Sequence, residues 1–138
     1  MQKVFKFILE KLSGLNFALI GTTNIMLQGG EIIPNDIDFL TDEKNIKGIA
    51  RTLKSKISDD NGYKETEYLL GSYKIHFVSA SGNPLRDDNL REKIYINRWG
   101  MKIPCMTLGS ELKFYRKINS EKAKSKVKII RSAIASQK

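Results

Sequence analysis

The sequence predicts a mixed α/β domain, an α+β arrangement in which a short mixed β-sheet is backed by helices. Three observations lead there. Apolar residues recur at helical spacing near both ends of the chain, strand-length apolar runs stand between them, and residues 65–80 alternate about a Gly-Ser turn. At 138 residues the chain has the length of one domain, enough to bury about two-thirds of the surface its unfolded form exposes. A single domain over 1–138 is expected, with its core at about 15–80 and a basic helical part at about 107–136.

Taken in order, Val4, Phe5, Ile8, Leu9 and Leu12 predict a first helix that Ser13-Gly14 stops. "NFALIG" reads as a short strand ending at Gly21, after which Thr22 or Thr23 caps a helix through about Leu27, before Gly29-Gly30. "NDIDFL" then reads as a strand after Pro34. Its period of two puts Asp36 and Asp38 on one face and Ile37 and Phe39 on the other. A helix from Thr41 follows, with Asp42 and Glu43 in its first turn and Ile46, Ile49, Ala50, Leu53 and Ile57 as its buried stripe.

"ETEYLLGSYKIHFVSA" predicts a hairpin with Gly71-Ser72 as the turn, pairing Leu70 with Tyr73, Tyr68 with Ile75 and Glu67 with His76. Tyr68, Leu70, Tyr73, Ile75 and Phe77 then share an apolar face, while Glu67, Lys74 and His76 share the other. A polar loop at 81–92 leads to a second hairpin or bent strand around Trp99-Gly100. Two helices close the chain, at about 108–118 and 120–135, the second with Ala123, Val127, Ile130 and Ile134 inward and its lysines outward.

The net charge of +9 is concentrated at the C-terminal end, where residues 113–138 hold nine Lys or Arg against one acid, Glu121. Such a face attracts nucleic acid or nucleotide phosphates, or is simply a solvated lysine-rich helix face. One cysteine, Cys105, excludes an intrachain disulfide and a Cys-rich metal site. The N-terminus is broken by Lys3, Lys6, Glu10 and Lys11, and no run of about 18 apolar residues occurs, so neither a signal peptide nor a membrane span is expected. A cytoplasmic location is the expectation.

The chemistry is suggested by Asp36-Ile37-Asp38 on an apolar strand, 15 residues after a Gly that closes one strand and opens a helix. This order resembles the nucleotidyltransferase superfamily, which includes DNA polymerase beta, the minimal nucleotidyltransferases and the aminoglycoside and lincosamide nucleotidyltransferases. The resemblance covers roughly residues 15–80. A fainter one continues in "GMKIPCMTLGSELKFYRKI", where relatives run from a strand into a Ser-Pro-Glu-like helix start. "EKAKSKVKII" replaces the Lys-Asp pair and further Asp that relatives often carry later.

The resemblance implies a nucleotidyltransferase-like fold and Mg²⁺- or Mn²⁺-dependent transfer of an NMP group from an NTP to an unidentified acceptor, releasing pyrophosphate. It makes Asp36 and Asp38 metal ligands and catalytic residues, and Gly21, Thr22 and Thr23 the nucleotide-binding turn. Hard cations take carboxylate oxygens, and backbone N–H groups at a helix start suit phosphates, so physical chemistry agrees. Where active relatives carry a third carboxylate, "KIHFV" places His76. Imidazole is a poor Mg²⁺ ligand but serves transition metals, or acts as a general base near its ordinary pKa of about 6.5.

Glu67, opposite His76, is a candidate to lend the missing carboxylate or to orient the imidazole; the alternative is a surface cross-strand pair. Lys74 on the same face is a candidate phosphate contact or a solvated lysine. Two rival readings remain. One is an inactive nucleotidyltransferase-like domain that binds RNA or protein through its basic end. The other keeps the transfer and makes a partner protein the acceptor. Nucleic acid or a small molecule as acceptor, and a homodimer, complete the expected partners; no membrane partner is expected.

Overall fold

The computed structural model describes residues 1–137. Its elements are α1 (Gln2–Lys11), β1 (Phe17–Ile20), α2 (Gly21–Leu27), β2 (Ile37–Thr41), α3 (Glu43–Leu53), β3 (Ile57–Ser58), β4 (Glu65–Leu70), β5 (Tyr73–Ser79), β6 (Ile94–Arg98), β7 (Met101–Cys105), α4 (Leu108–Lys117) and α5 (Glu121–Ser136). All strands join one seven-stranded sheet in the order β3-β4-β5-β2-β1-β7-β6. β2 runs parallel to β5 and β1 parallel to β7, while the other neighbours are antiparallel, so the sheet is mixed as the sequence predicts.

The central strands divide their side chains cleanly by parity. Phe17, Leu19, Ile37, Phe39, Ile75, Phe77, Ile103 and Cys105 face one way, against Val4, Phe5, Ile8 and Leu12 of α1 and Ile49 and Leu53 of α3. Phe39 and Phe77, in register on parallel strands, stack at 5.1 Å between ring centroids. The other face carries Ala18, Ile20, Leu40 and Val78, packed with Leu90 and Met106. A third cluster binds α2, α4 and α5 through Ile25, Leu108, Tyr115, Ala123, Ile130 and Ala133. Lys122, Lys124, Lys128 and Arg131 of α5 lie outward. No helix among the described residues is long and apolar enough to cross a membrane.

The first hairpin has the predicted register, Leu70 with Tyr73 through Glu67 with His76. The second turns at Trp99 and Gly100, both in the left-handed region at φ 52° and 72°, as a tight two-residue turn requires. Two expectations fail locally. α3 ends at Leu53 because Lys54 adopts the left-handed conformation and Ser55 N–H returns to Ala50 O at 2.9 Å, so Ile57 leaves the helix and pairs with Thr66 in β3. Neither Thr22 nor Thr23 caps α2: the helix opens at Gly21, and Thr23 Oγ1 instead donates to Asp36 O at 2.8 Å.

Candidate functional site

The half of the second sheet face not covered by apolar residues carries a row of polar ones. Registered pairing sets Ile20 beside Asp38, Asp38 beside His76 and His76 beside Glu67. Asp38 thus stands at the centre of the sheet, its side chain 31% exposed at the mouth of a cleft. Asp36 immediately precedes β2 and is exposed; the bond from the buried Thr23 fixes its carbonyl. Among the described residues no three Asp, Glu, His or Cys side chains converge as a ready-made metal cage. Two hard carboxylates one residue apart still fit Mg²⁺ or Mn²⁺, which commonly take one or two protein carboxylates and fill their shell with phosphate and water.

Gly21 shows how closely the strand and the turn approach each other. Its φ of +78° is one that L side chains rarely adopt, and a Cβ there would meet Asp38 Oδ2 at 3.0 Å. Its N–H is already engaged, donating to both oxygens of Glu111 at 3.2 Å. Glu111 also accepts from Asn24 Nδ2 at 2.9 Å and from Arg86 Nη2, and is fully buried. Burial pushes the Glu111 carboxyl up, while the Arg86 guanidinium, Asn24 and Gly21 oppose that and stabilise its charged form. Gln28 extends the network, donating to Asn24 Oδ1 and Met106 O.

Arg86 comes from the 81–92 loop that the sequence marks only as polar. Asn83 Oδ1 accepts from the N–H of Leu85 and Arg86, and Lys117 of α4 donates to Asp87 Oδ1 at 3.3 Å, so the loop is pinned at both sides of the arginine. The guanidinium stacks over Phe114 at 4.0 Å from the ring centroid. Its Nε and Nη1 have no hydrogen-bond partner among the described residues, although Asp88 Oδ2 lies 3.7 Å from Nη1. Gly21, Asp38, His76, Arg86, Phe114 and Tyr115 together line a cleft of 260 Å³.

His76 is held on one nitrogen and faces a carboxylate with the other. Nε2 lies 2.8 Å from Glu65 Oε1, and Nδ1 lies 3.5 Å from Asp38 Oδ1. Asp38 first, and then Glu65, raise its pKa above the ordinary value, against burial. The carboxylate that orients the ring is therefore Glu65, not Glu67. The register opposite His76 is as predicted, but Glu67 turns outward to Lys74, 3.4 Å away, and Glu65 reaches the ring along the diagonal of the antiparallel pair. This also leaves Lys74, half-exposed, paired with Glu67.

Sequence reasoning missed Glu65, Arg86 and Glu111. For Glu111 a signal exists: it shares a helical face with Leu108 and Tyr115, and a carboxylate on a buried stripe needs a partner. Nothing local marks Arg86, whose partner lies 25 residues away.

No protein-family model and no curated protein matches the chain. Solved structures do match its fold. A proposed nucleotidyltransferase, TM1012 from Thermotoga maritima, superposes with a TM-score of 0.69 at 21% identity, covering 98% of this chain and 92% of that one. The lincosamide antibiotic adenylyltransferase LnuA, bound to lincomycin, gives 0.67 at 16% identity over 96% and 98%. ANT(2")-Ia, in complex with adenylyl-2"-tobramycin, gives 0.68 at 10% identity over 98% and 90%. The resemblance read from Gly21 and Asp36-x-Asp38 thus extends, as a fold, across nearly the whole chain.

Proposed function

Starting from a nucleotidyltransferase fold, we propose that the protein transfers a nucleoside monophosphate from an NTP to an acceptor, with a divalent cation and with release of pyrophosphate. One observation carries the reading: the Asp38 carboxylate lies against the Gly21 turn, so the candidate cation ligand and the candidate phosphate-binding turn line one cleft. In this reading Asp36 and Asp38 hold the cation, Mg²⁺ or Mn²⁺. When bound, it neutralises phosphate charge and helps align the acceptor oxygen with the α-phosphorus.

The chain's own groups divide the remaining work. The first turn of α2 offers the N–H groups of Thr22 and Thr23 and the Thr22 hydroxyl to the triphosphate, because the Gly21 N–H is held by Glu111. The Thr23 hydroxyl keeps Asp36 in place by donating to its carbonyl, and leaves only the Thr23 N–H for the nucleotide. Arg86 lines the cleft wall with two guanidinium nitrogens, Nε and Nη1, unpartnered among the described residues. His76 faces Asp38 with Nδ1; its raised pKa disfavours the neutral ring that a general base requires.

The acceptor in this reading is a small molecule. Lincomycin on LnuA and adenylyl-2"-tobramycin on ANT(2")-Ia support that class for a chain of the same fold and nearly the same extent. The outward lysines of α5 support the second reading, an inactive domain that binds RNA.

Thermal unfolding with each NTP, alone and with Mg²⁺ or Mn²⁺, separates the two. A site filled at 100 times its Kd adds about 2.7 kcal/mol, several degrees in Tm for a domain of this size. The expected result is a shift that needs both NTP and metal in wild type and vanishes in Asp36→Asn/Asp38→Asn. No shift in wild type, with salt-dependent RNA affinity unchanged by that double substitution, overturns the enzyme reading.

A further inference from the structure

We propose that His76 is itself a metal ligand, and that it turns the cation site from one suited to Mg²⁺ toward one that prefers a first-row transition-metal dication. The inference rests on the reading of Asp38 as a cation ligand. It starts from the two contacts of the ring. Glu65, when ionised, can only accept, so the 2.8 Å contact places a hydrogen on Nε2. In the neutral ring this leaves Nδ1 with a lone pair on the nitrogen nearest Asp38 Oδ1, 3.5 Å away. Two acceptors then face each other, and only a cation between them makes the arrangement favourable.

A metal serves there for reasons of length and of support. Zinc-type bonds of about 2.0–2.1 Å to nitrogen and 2.0–2.2 Å to a carboxylate oxygen, at tetrahedral to octahedral angles, span roughly 2.9–3.5 Å between the two ligand atoms. The observed separation lies at the upper end of that span. Histidines that bind metals nearly always give their other N–H to a carboxylate or carbonyl, which fixes the tautomer and makes the ring a better donor. Glu65, mostly buried beside His76, supplies that second carboxylate. Parallel pairing of β2 with β5 fixes the relative position of Asp38 and His76, so the site rests on the sheet and not on a loop.

The preference follows from the donor atoms. Mg²⁺ takes oxygen and gives up its water reluctantly, whereas imidazole suits zinc and its neighbours. An open site of Asp38 and His76 leaves positions for phosphate oxygens. The competing occupant is a proton, which would make the ring an imidazolium bridging two carboxylates.

His76 is the only histidine, so its two ring nitrogens are unique reporters in ¹⁵N-histidine-labelled protein. Zn²⁺ or Mg²⁺ is titrated without nucleotide, and Mn²⁺ affinity is read from the loss of its free electron-paramagnetic signal. Zn²⁺ should displace the Nδ1 resonance and leave a proton on Nε2, while Mg²⁺ moves neither. Mn²⁺ should bind at least tenfold tighter than Mg²⁺. His76→Asn, nearly isosteric, should abolish that ratio, and His76→Asp should reverse it toward Mg²⁺. Zn²⁺ bound with both ring nitrogens unmoved, or a Mn²⁺ to Mg²⁺ ratio unchanged in His76→Asn, overturns the inference. A nucleotide shift with Mg²⁺ in the same preparation would then leave the enzymatic reading standing; loss of both would remove the two together.

Discussion

Asp38 and Glu111 both reach Gly21, one against the Cα and the other through the N–H, yet their side chains are 31% and 0% exposed. Each is a carboxylate in a sheet-and-helix core, and each meets a nitrogen base, the His76 ring for one and the Arg86 guanidinium for the other. What separates them is how completely the chain satisfies its own charge. Around Glu111 the donors are Arg86, Asn24 and Gly21, and nothing is left for a ligand. Around Asp38 the only partner among the described residues is a ring 3.5 Å away, and the carboxylate keeps free oxygen capacity in the wall of a cleft. The closed cluster holds the turn and the open one uses it, so substitutions should divide into losses of fold and losses of binding.

The largest expected effect comes from opening the closed cluster. Arg86→Leu strands Glu111 as a buried unpaired charge, and breaking such a pair costs about 3–5 kcal/mol. Tm should fall by more than about 10 °C, since a kcal/mol is worth roughly 3–5 °C in a domain between the sizes usually surveyed. Arg86→Leu/Glu111→Met removes both charges and should recover part of that loss, but not all, because Gly21 N–H and Asn24 Nδ2 lose their acceptor. Urea unfolding of the two variants decides: equal losses would mean that the pair is not a pair.

Next is Gly21→Ala, which strikes both clusters at once. The positive φ and the contact with Asp38 Oδ2 together predict a loss of about 1–3 kcal/mol. Displacement of Asp38 should also weaken the metal-dependent nucleotide shift. An unchanged shift in a destabilised protein would separate the turn from the site.

How much of this contrast was legible in the sequence follows the same division. Asp36 and Asp38 announce themselves because two acids in an apolar strand violate the local pattern. The hairpin register was readable because Gly71-Ser72 fixes the turn and alternation fixes the faces. Glu65 was hidden by one step: register says which residues are opposite, but side-chain reach along the diagonal says which touch. Arg86 was hidden altogether, since "NPLRDD" has the composition of a solvated loop and is buried only because α4 brings Phe114 and Glu111 to it. Lys54 ended α3 early without glycine to mark the stop.

The open cluster should respond to pH more than to truncation. Asp38→Asn removes a long, partly exposed pair at 3.5 Å and should cost less than about 1 kcal/mol, while abolishing the metal-dependent shift. His76 has a folded pKa raised first by Asp38 and then by Glu65. Its stabilising contribution is therefore fully present below about pH 6.5 and is lost as pH rises through the higher folded value. In metal-free buffer the stability gap between wild type and His76→Asn should be widest on the acid side and close with rising pH; Asp38→Asn should move that closure to lower pH. A gap that widens with pH would show a ring held neutral.

The smallest effect belongs to Glu67, and it is the sharpest check on the geometry. Glu67 sits opposite His76 in the ladder, but its carboxylate is half-exposed and paired with Lys74 across the surface. Exposed pairs of this kind contribute about 0–1 kcal/mol, so Glu67→Gln should leave Tm, the His76 titration and metal binding nearly unchanged. Glu65→Gln keeps the shape and removes the charge that orients the ring, and should shift the His76 titration to lower pH and weaken Zn²⁺ binding. Histidine ¹⁵N titrations of the two variants give the comparison directly. If Glu67→Gln moves the ring nitrogens as far as Glu65→Gln does, the ladder partner rather than the diagonal one governs His76, and the open cluster extends one strand position further than its contacts indicate.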